Sequence, residues 1–339
     1  MYPLCDGRWF VQTSGDMMRR FWLVVTLLLA PAASTRADWH AREEAIMGTR
    51  IAVEVWHDDP AEATKAIDAV IAEMHRVDAL MSTYKPESQL SRVNREAAGG
   101  PVRVDPELAR LVARSLDFSR MSGGAFDITY ASVGYLYDYR AGRHPTDAEI
   151  EAALPAINWR HIAVDLAAST IRFLRPGVRI DLGGIAKGHA VDSSIAILAA
   201  RGIRQATVTA GGDSRIIGDR RGRPWIVGIR HPDDRGRVIA RIPLEDAAIS
   251  TSGDYERYFD ERGVRYHHII DPKTGKSPHE VRSVTVIAPE STLAEGLTKS
   301  VFILGPERGL PIVESQPDCD AVVVMADGRV LYSKGLAPP

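Results

Sequence analysis

Apolar residues recur every three to four positions over 61–81, placing Ile67, Val70, Ile71, Met74, Val77 and Met81 on one face. That spacing predicts an amphipathic helix. A second helix is predicted over 105–121, with Asp105 as N-cap and Pro106 at the first helical position. A third spans 189–201 and stops at Gly202; a fourth spans 292–304 and stops at Gly305. Shorter apolar runs at 50–55, 171–174, 178–182, 205–209, 225–230, 238–242, 264–270, 284–288 and 321–325 read as strands. Several alternate apolar and polar residues, as half-buried antiparallel strands do. Strands and helices follow one another without a regular βαβ repeat, so the predicted class is α+β, with mostly antiparallel sheets and packed helices.

The beginning of the chain reads differently. Over 17–37 two arginines precede an apolar run from Phe21 to Ala30 and then small residues, with Thr35 and Ala37 suited to the −3 and −1 positions of a cleavage site. This is the layout of a secretory signal peptide. The run is shorter than the roughly 20 residues a membrane span needs. Met17 or Met18 is a plausible start, and 1–16 an over-extended one. The expectation is one soluble domain over 38–339, exported to the periplasm, with no transmembrane segment of its own. Of two cysteines, Cys5 precedes the cleavage site and Cys319 stands alone. That excludes an internal disulfide and a C-x-x-C metal motif in 38–339, and no cysteine lies close after the apolar run to carry a lipid. A formal net charge of −2 without a basic stripe argues against nucleic-acid binding.

The richest segment is RIDLGGIAKGHAVD (179–192). An apolar stretch runs into paired glycines, with a helical pattern beyond. Gly183, Gly184 and Gly188 allow close backbone approach to a ligand. A helix opening there directs N–H groups and the positive end of its dipole at whatever occupies the turn. Lys187 adds a formal charge. The combination suits a phosphate or pyrophosphate, although a tight strand-to-helix turn with Asp181 as a cap has the same appearance.

A second segment, GVRYHHIIDPKTGKSP (263–278), enters a DPKTG turn. His267 and His268 lie on opposite faces of an expected strand. Either is a buried, hydrogen-bonded histidine or an acid/base group active near neutral pH. Third is MGTRIAVEV (47–55) with MSTYKPESQLSRVN (81–94), and fourth is GGAFDITY (123–130). Each has a bland reading as a helix exit or a core phenylalanine.

Together with VTAGGD (208–213) and STSGDYERYF (250–259), these segments resemble the ApbE family, the FAD:protein FMN transferases. The match runs from about Met47 to Gly305 through MGT, MSTY, AFD, DLGGIAKG, AGGD, SGDY and HIIDPKTG. The resemblance implies a T-fold-related architecture. It also implies an enzyme that splits FAD and attaches FMN by a phosphoester to a Thr or Ser of an acceptor flavoprotein, releasing AMP. Carried onto matching positions, it implies FAD contacts at Met47, Tyr84, Ala125, Phe126, Asp127, Asp181 and Lys187. The carbonyl of Gly184 would face a magnesium ion, and His268 would be catalytic, with His267 structural. Acceptors of the kind the family suggests are periplasm-facing respiratory flavoproteins, such as subunits of quinone reductases or regulators of nitrous oxide reduction. An FAD pyrophosphatase and a non-catalytic flavin-binding module are the rival readings.

One departure bears on the metal. The family's helix usually reads like ADALSTA, with an Asp and, four residues on, a Thr as magnesium ligands. This chain has AEGLTKS (294–300), giving Glu295 and Lys299. A Glu can bind magnesium, but a lysine ammonium has three donors and no acceptor, so Lys299 cannot be a ligand. Two structural readings of Glu295 stand beside the metal one. It fits a T-x-x-E capping box with Thr292, or an i,i+4 ion pair with Lys299, worth about 0.2–0.5 kcal/mol. Milder departures are Ile128, where proline is common, and YLYDY (135–139), where the family has a tryptophan-containing stretch.

Overall fold

The computed structural model describes residues 38–336 apart from 233 and 235. The predicted export segment lies outside the described residues. Eight strands form one sheet in the order Asp38–Ile46, Thr49–His57, Ala206–Ala210, Asp213–Ile217, Ala248–Gly253, Val281–Ala288, Asp320–Met325 and Val330–Tyr332. Every neighbouring pair is antiparallel. The α+β class with antiparallel sheets is therefore as the pattern predicts.

Helices cover one face of this sheet in matching order. Pro60–Met81 packs on the first two strands, Ala186–Ala200 on the next two, and Ser291–Leu304 on Ala248–Gly253 and Val281–Ala288. Pro306–Glu314 follows over Asp320–Met325. The first helix buries the Ile67, Val70, Ile71, Met74, Val77 and Met81 face read from its spacing. Its facing strand buries Ile51, Val53 and Val55, alternate residues as the pleat requires. Part of the opposite face is closed by the hairpin Trp225–Arg230 with Val238–Leu244, through a cluster of Ile216, Trp225, Leu244 and Ile249. Val281–Ala288 is thus buried on both sides, which is why it reads as a near-continuous apolar run.

Several expected boundaries shift. Among the described residues the predicted strand at 178–182 pairs with no other strand. Its backbone is held by side chains instead: Ile180 N–H donates to Asn94 Oδ1 at 2.8 Å, Asn94 Nδ2 donates to the Ile180 carbonyl at 2.9 Å, and Arg179 N–H donates to Ser132 Oγ at 2.9 Å. An amide that both donates and accepts satisfies the same backbone groups a ladder would, so the segment is extended without a sheet. The helix beyond it opens at Ala186 rather than His189 and ends at Ala200. The strand expected over 264–270 stops at His267, and His268 lies in the bend that follows.

Two tight hairpin turns are forced by the pairing. Ile46 pairs with Thr49, so Met47 and Gly48 alone make the connection, both with positive φ (55° and 68°). Two-residue hairpin loops match the sheet twist when both central residues are left-handed. Gly48 takes that conformation freely; Met47 adopts one that side chains rarely tolerate. Gly211 and Gly212 make the second two-residue turn, with a positive φ at Gly211 (62°) and not at Gly212, and a Cβ at Gly212 would lie 2.5 Å from the Thr251 carbonyl oxygen.

Candidate active site

The loops at one end of these elements enclose a cavity of about 2000 Å³. Ordinary small-molecule pockets hold roughly 300–1,000 Å³, so this one has room for a dinucleotide and a peptide segment together. Met47, Tyr84, Ala125, Phe126, Asp127, Asp181, Gly184, Lys187 and His268 all line it. Lys299 lines it as well, whereas Glu295 is fully buried just behind.

Asp181 ties three of the motifs together. One oxygen accepts from Gly183 N–H (2.6 Å) and the Tyr130 hydroxyl (3.2 Å), the other from the Thr83 hydroxyl (2.8 Å). Turn, MSTY loop and AFDITY loop therefore share one anchor. Tyr84, next to Thr83, is 86% exposed, so its ring stands free at the mouth. Phe126 is buried against Phe118, with ring centroids 5.4 Å apart. Asp127 lines the cavity, but its carboxylate is engaged by Thr129 N–H (2.8 Å), the Thr129 hydroxyl (2.6 Å) and Trp159 N–H (2.8 Å). Burial raises its carboxyl above the usual range, against those hydrogen bonds.

The glycines divide by role. A Cβ at Gly188 would lie 2.6 Å from the backbone oxygen of Ser291, so this glycine lets two helices touch rather than admitting a ligand. A Cβ at Gly184 would lie 3.5–3.7 Å from the Lys299 stem and the Phe126 ring edge, in ordinary contact. Neither Gly183 nor Gly184 has a positive φ.

Glu295 is neither in a capping box nor chiefly paired along its own helix. Its oxygens accept from Lys187 Nζ and from Gly188 N–H at 2.8 Å. It thus caps the first turn of the neighbouring helix, where a carboxylate is favoured by the dipole. Thr292, the other half of the expected box, donates to Asp192 Oδ2 at 2.5 Å. Asp192 also accepts from the N–H groups of Ser291 (2.9 Å) and Thr292 (2.8 Å). Each helix therefore caps the other. The box fails because both partners have better-placed acceptors and donors across the helix–helix contact.

Lys187 lies between Asp213 Oδ2 (2.8 Å) and Glu295. Burial alone would lower its ammonium, but the two carboxylates outweigh that and raise it. Asp213 is held in turn by the Ser250 hydroxyl. Lys299 Nζ donates to Ser252 Oγ at 2.7 Å, with Thr298 Oγ1 at 3.5 Å and Glu295 Oε1 at 3.7 Å. The expected i,i+4 pair is present only as this longest contact.

These residues do not fit a magnesium ion. Magnesium demands oxygen ligands in near-ideal octahedral geometry. Here the one carboxylate of the helix is occupied by an ammonium and an amide, and a second ammonium stands where an oxygen would be needed. Among the described residues no group of three His, Cys, Asp or Glu side chains is gathered to hold a metal.

His267 and His268 differ sharply. His267 is buried with Nε2 2.7 Å from the Pro278 carbonyl and Nδ1 accepting from Ile269 N–H at 3.3 Å. Burial lowers it to about 4. His268 borders the cavity, and its Nδ1 is buried with no hydrogen-bond partner among the described residues. Burial first, then the charges of Lys299, Arg257 and Lys187 together with His267, lowers it to about 3. It is a neutral imidazole at pH 7.

The family model described as the ApbE family matches residues 47–323. The chain belongs to the ApbE family. An FAD:protein FMN transferase of Treponema pallidum is 33% identical over 89% of this chain and 88% of its own length. Among solved structures, an ApbE protein of Thermotoga maritima superposes with a TM-score of 0.81 at 32% identity, covering 88% of this chain and 98% of that one. The flavin transferase ApbE of Vibrio cholerae gives 0.79 at 30% identity, with the same coverage. Pattern reading missed Asn94, Thr83, Tyr130, Ser252, Arg257 and Asp213 as parts of the site. All six stand inside the quoted segments, and that position was the available signal.

Proposed function

We propose that this ApbE-family chain is an FAD:protein FMN transferase. It moves FMN from FAD to a Thr or Ser hydroxyl of an acceptor flavoprotein and releases AMP. The observation that carries the proposal is convergence. The MGT, MSTY, AFD, DLGGIAKG, AGGD, SGDY and HIIDPKTG segments meet around one cavity large enough for FAD and an acceptor loop. The names of the Treponema pallidum and Vibrio cholerae relatives support the same reading.

In the reaction, the acceptor oxygen attacks the FMN-side phosphorus. The new P–O bond forms as the bond to the AMP oxygen breaks, and the hydroxyl proton passes to His268 as general base. An imidazole held at about 3 is a weak base, but part of the cause is removable. A bound pyrophosphate places negative charge beside Lys299, Arg257 and Lys187, the cations that help depress His268. Binding therefore raises the base toward its working range. Tyr84 and Met47, which line the cavity, hold the flavin ring in this proposal, and Asp181 fixes the turn beneath the phosphates. The acceptor is proposed to be a respiratory flavoprotein on the periplasmic side, on the strength of the signal-like pattern at 17–37.

The test is the nucleotide balance of the full chain incubated with FAD, with and without a threonine-bearing acceptor domain. AMP appearing only with acceptor, without free FMN, supports transfer. FMN and AMP released without acceptor would indicate a hydrolase, and intact FAD throughout a binding module.

A further inference from the structure

The turn between Gly183 and Lys187 needs a cation if it is to hold a pyrophosphate, and Lys187 is not available. Its ammonium is shared by Asp213 and Glu295. Lys299 is differently placed. Its stem runs along Gly184, within 3.5–3.7 Å of where a Cβ would be, so its head lies at the glycine turn itself. Ser252 Oγ at 2.7 Å accepts one of its protons. The other nearby oxygens, Thr298 Oγ1 at 3.5 Å and Glu295 Oε1 at 3.7 Å, are at or beyond the limit of a hydrogen bond. An ammonium carries three donors, so at least one remains for a ligand in the cavity that Lys299 lines.

We propose that Lys299 supplies the positive charge that holds the pyrophosphate of FAD at this turn, in place of a divalent metal. The inference rests on the transferase reading for its substrate but concerns how that substrate is bound. An ammonium offers one charge where magnesium offers two; burial lowers the Lys299 ammonium from its ordinary value, while the Glu295 and Asp213 carboxylates act to keep it protonated. It needs no ligand set, however, and Ser252 orients it. Arg257, which also lines the cavity and donates to the Gly48 carbonyl at 3.4 Å, is the second cation within reach. On P–O cleavage the charge gathers on the departing AMP oxygen. Lys299 stabilises that charge without giving up its proton, so the atom balance of the transfer is unchanged.

Equilibrium binding to the full chain, treated with EDTA and desalted, tests this by flavin fluorescence with FAD and riboflavin as probes. The wild type is expected to bind FAD equally in EDTA and in millimolar magnesium. Lys299→Met is expected to weaken FAD binding about tenfold or more, roughly 1.4 kcal/mol, while leaving riboflavin, which has no phosphate, within about twofold. Lys299→Arg keeps the charge and restores most of the loss. Lys299→Gln, of similar length and more polar, replaces Lys299→Met if its melting curve shows misfolding. Wild-type FAD binding abolished by EDTA and restored by magnesium overturns the inference, as does unchanged FAD affinity in the uncharged variants. Failure of the parent reading looks different. FAD binding that follows Lys299 while no acceptor is modified supports the lysine and sinks the transferase.

Discussion

His268 is the residue on which chemistry and stability meet. Its Nδ1 is buried without a partner among the described residues, and its imidazole stays neutral to about 3. His268→Asn is expected to lower the transfer rate by about 10²–10⁴, the usual worth of a general base, with FAD affinity changed only a few-fold. Single-turnover transfer beside a binding titration checks both. The same burial sets an acid limit. The unfolded imidazole takes up a proton below its ordinary 6.5, whereas the folded one does so only near 3. The unfolded chain therefore binds more protons between those values, and stability falls as pH drops below about 6.5. His267, lowered to about 4, acts in the same direction. Urea unfolding at pH 7 and pH 5 is expected to show a lower midpoint at pH 5, and a smaller drop for His268→Asn. An equal drop in the variant would remove His268 from this account.

At the scale of elements, the helices Ala186–Ala200 and Ser291–Leu304 are joined by exchanged carboxylates. Asp192 caps the second, and Glu295 caps the first. Asp192→Ala is expected to cost about 0.5–2 kcal/mol, read as a shifted urea midpoint at constant slope. Gly188→Ala would press a methyl group onto the Ser291 backbone. Overpacking of this kind costs about 1–3 kcal/mol, and here it would also part the two helices that carry Lys187 and Lys299. Much of this scale is legible in sequence. The Pro60–Met81 face, the Asp105–Pro106 start and the Gly305 stop are local signals, and local signals suffice for them. The strand Ala248–Gly253 is not legible, because its buried Ser250 and Ser252 break the apolar alternation to meet Asp213 and Thr298. Nor is the exchanged cap. Thr292 and Glu295 satisfy a capping box on paper, and only tertiary contact shows that their partners lie on another helix. The candidate site was legible as a set of motifs. The occupation of Lys187 and Glu295 by each other, 108 positions apart, was not.

At the scale of the whole molecule, one antiparallel sheet with helices along one face brings loops from every third of the chain to a single cavity. Among the described residues no helix is long and apolar enough to cross a membrane. The scaffold holds the glycine turn, His268 and Lys299 at this cavity, while Tyr84 stands exposed at its edge. The central claim is that this cavity joins FMN covalently to another protein. Its most direct test is the intact mass of a threonine-bearing acceptor domain after incubation with the full chain and FAD. The account predicts a gain of one FMN less water, abolished when the acceptor threonine is changed to alanine and nearly abolished by His268→Asn. An acceptor of unchanged mass, with FAD bound or cleaved, would contradict it.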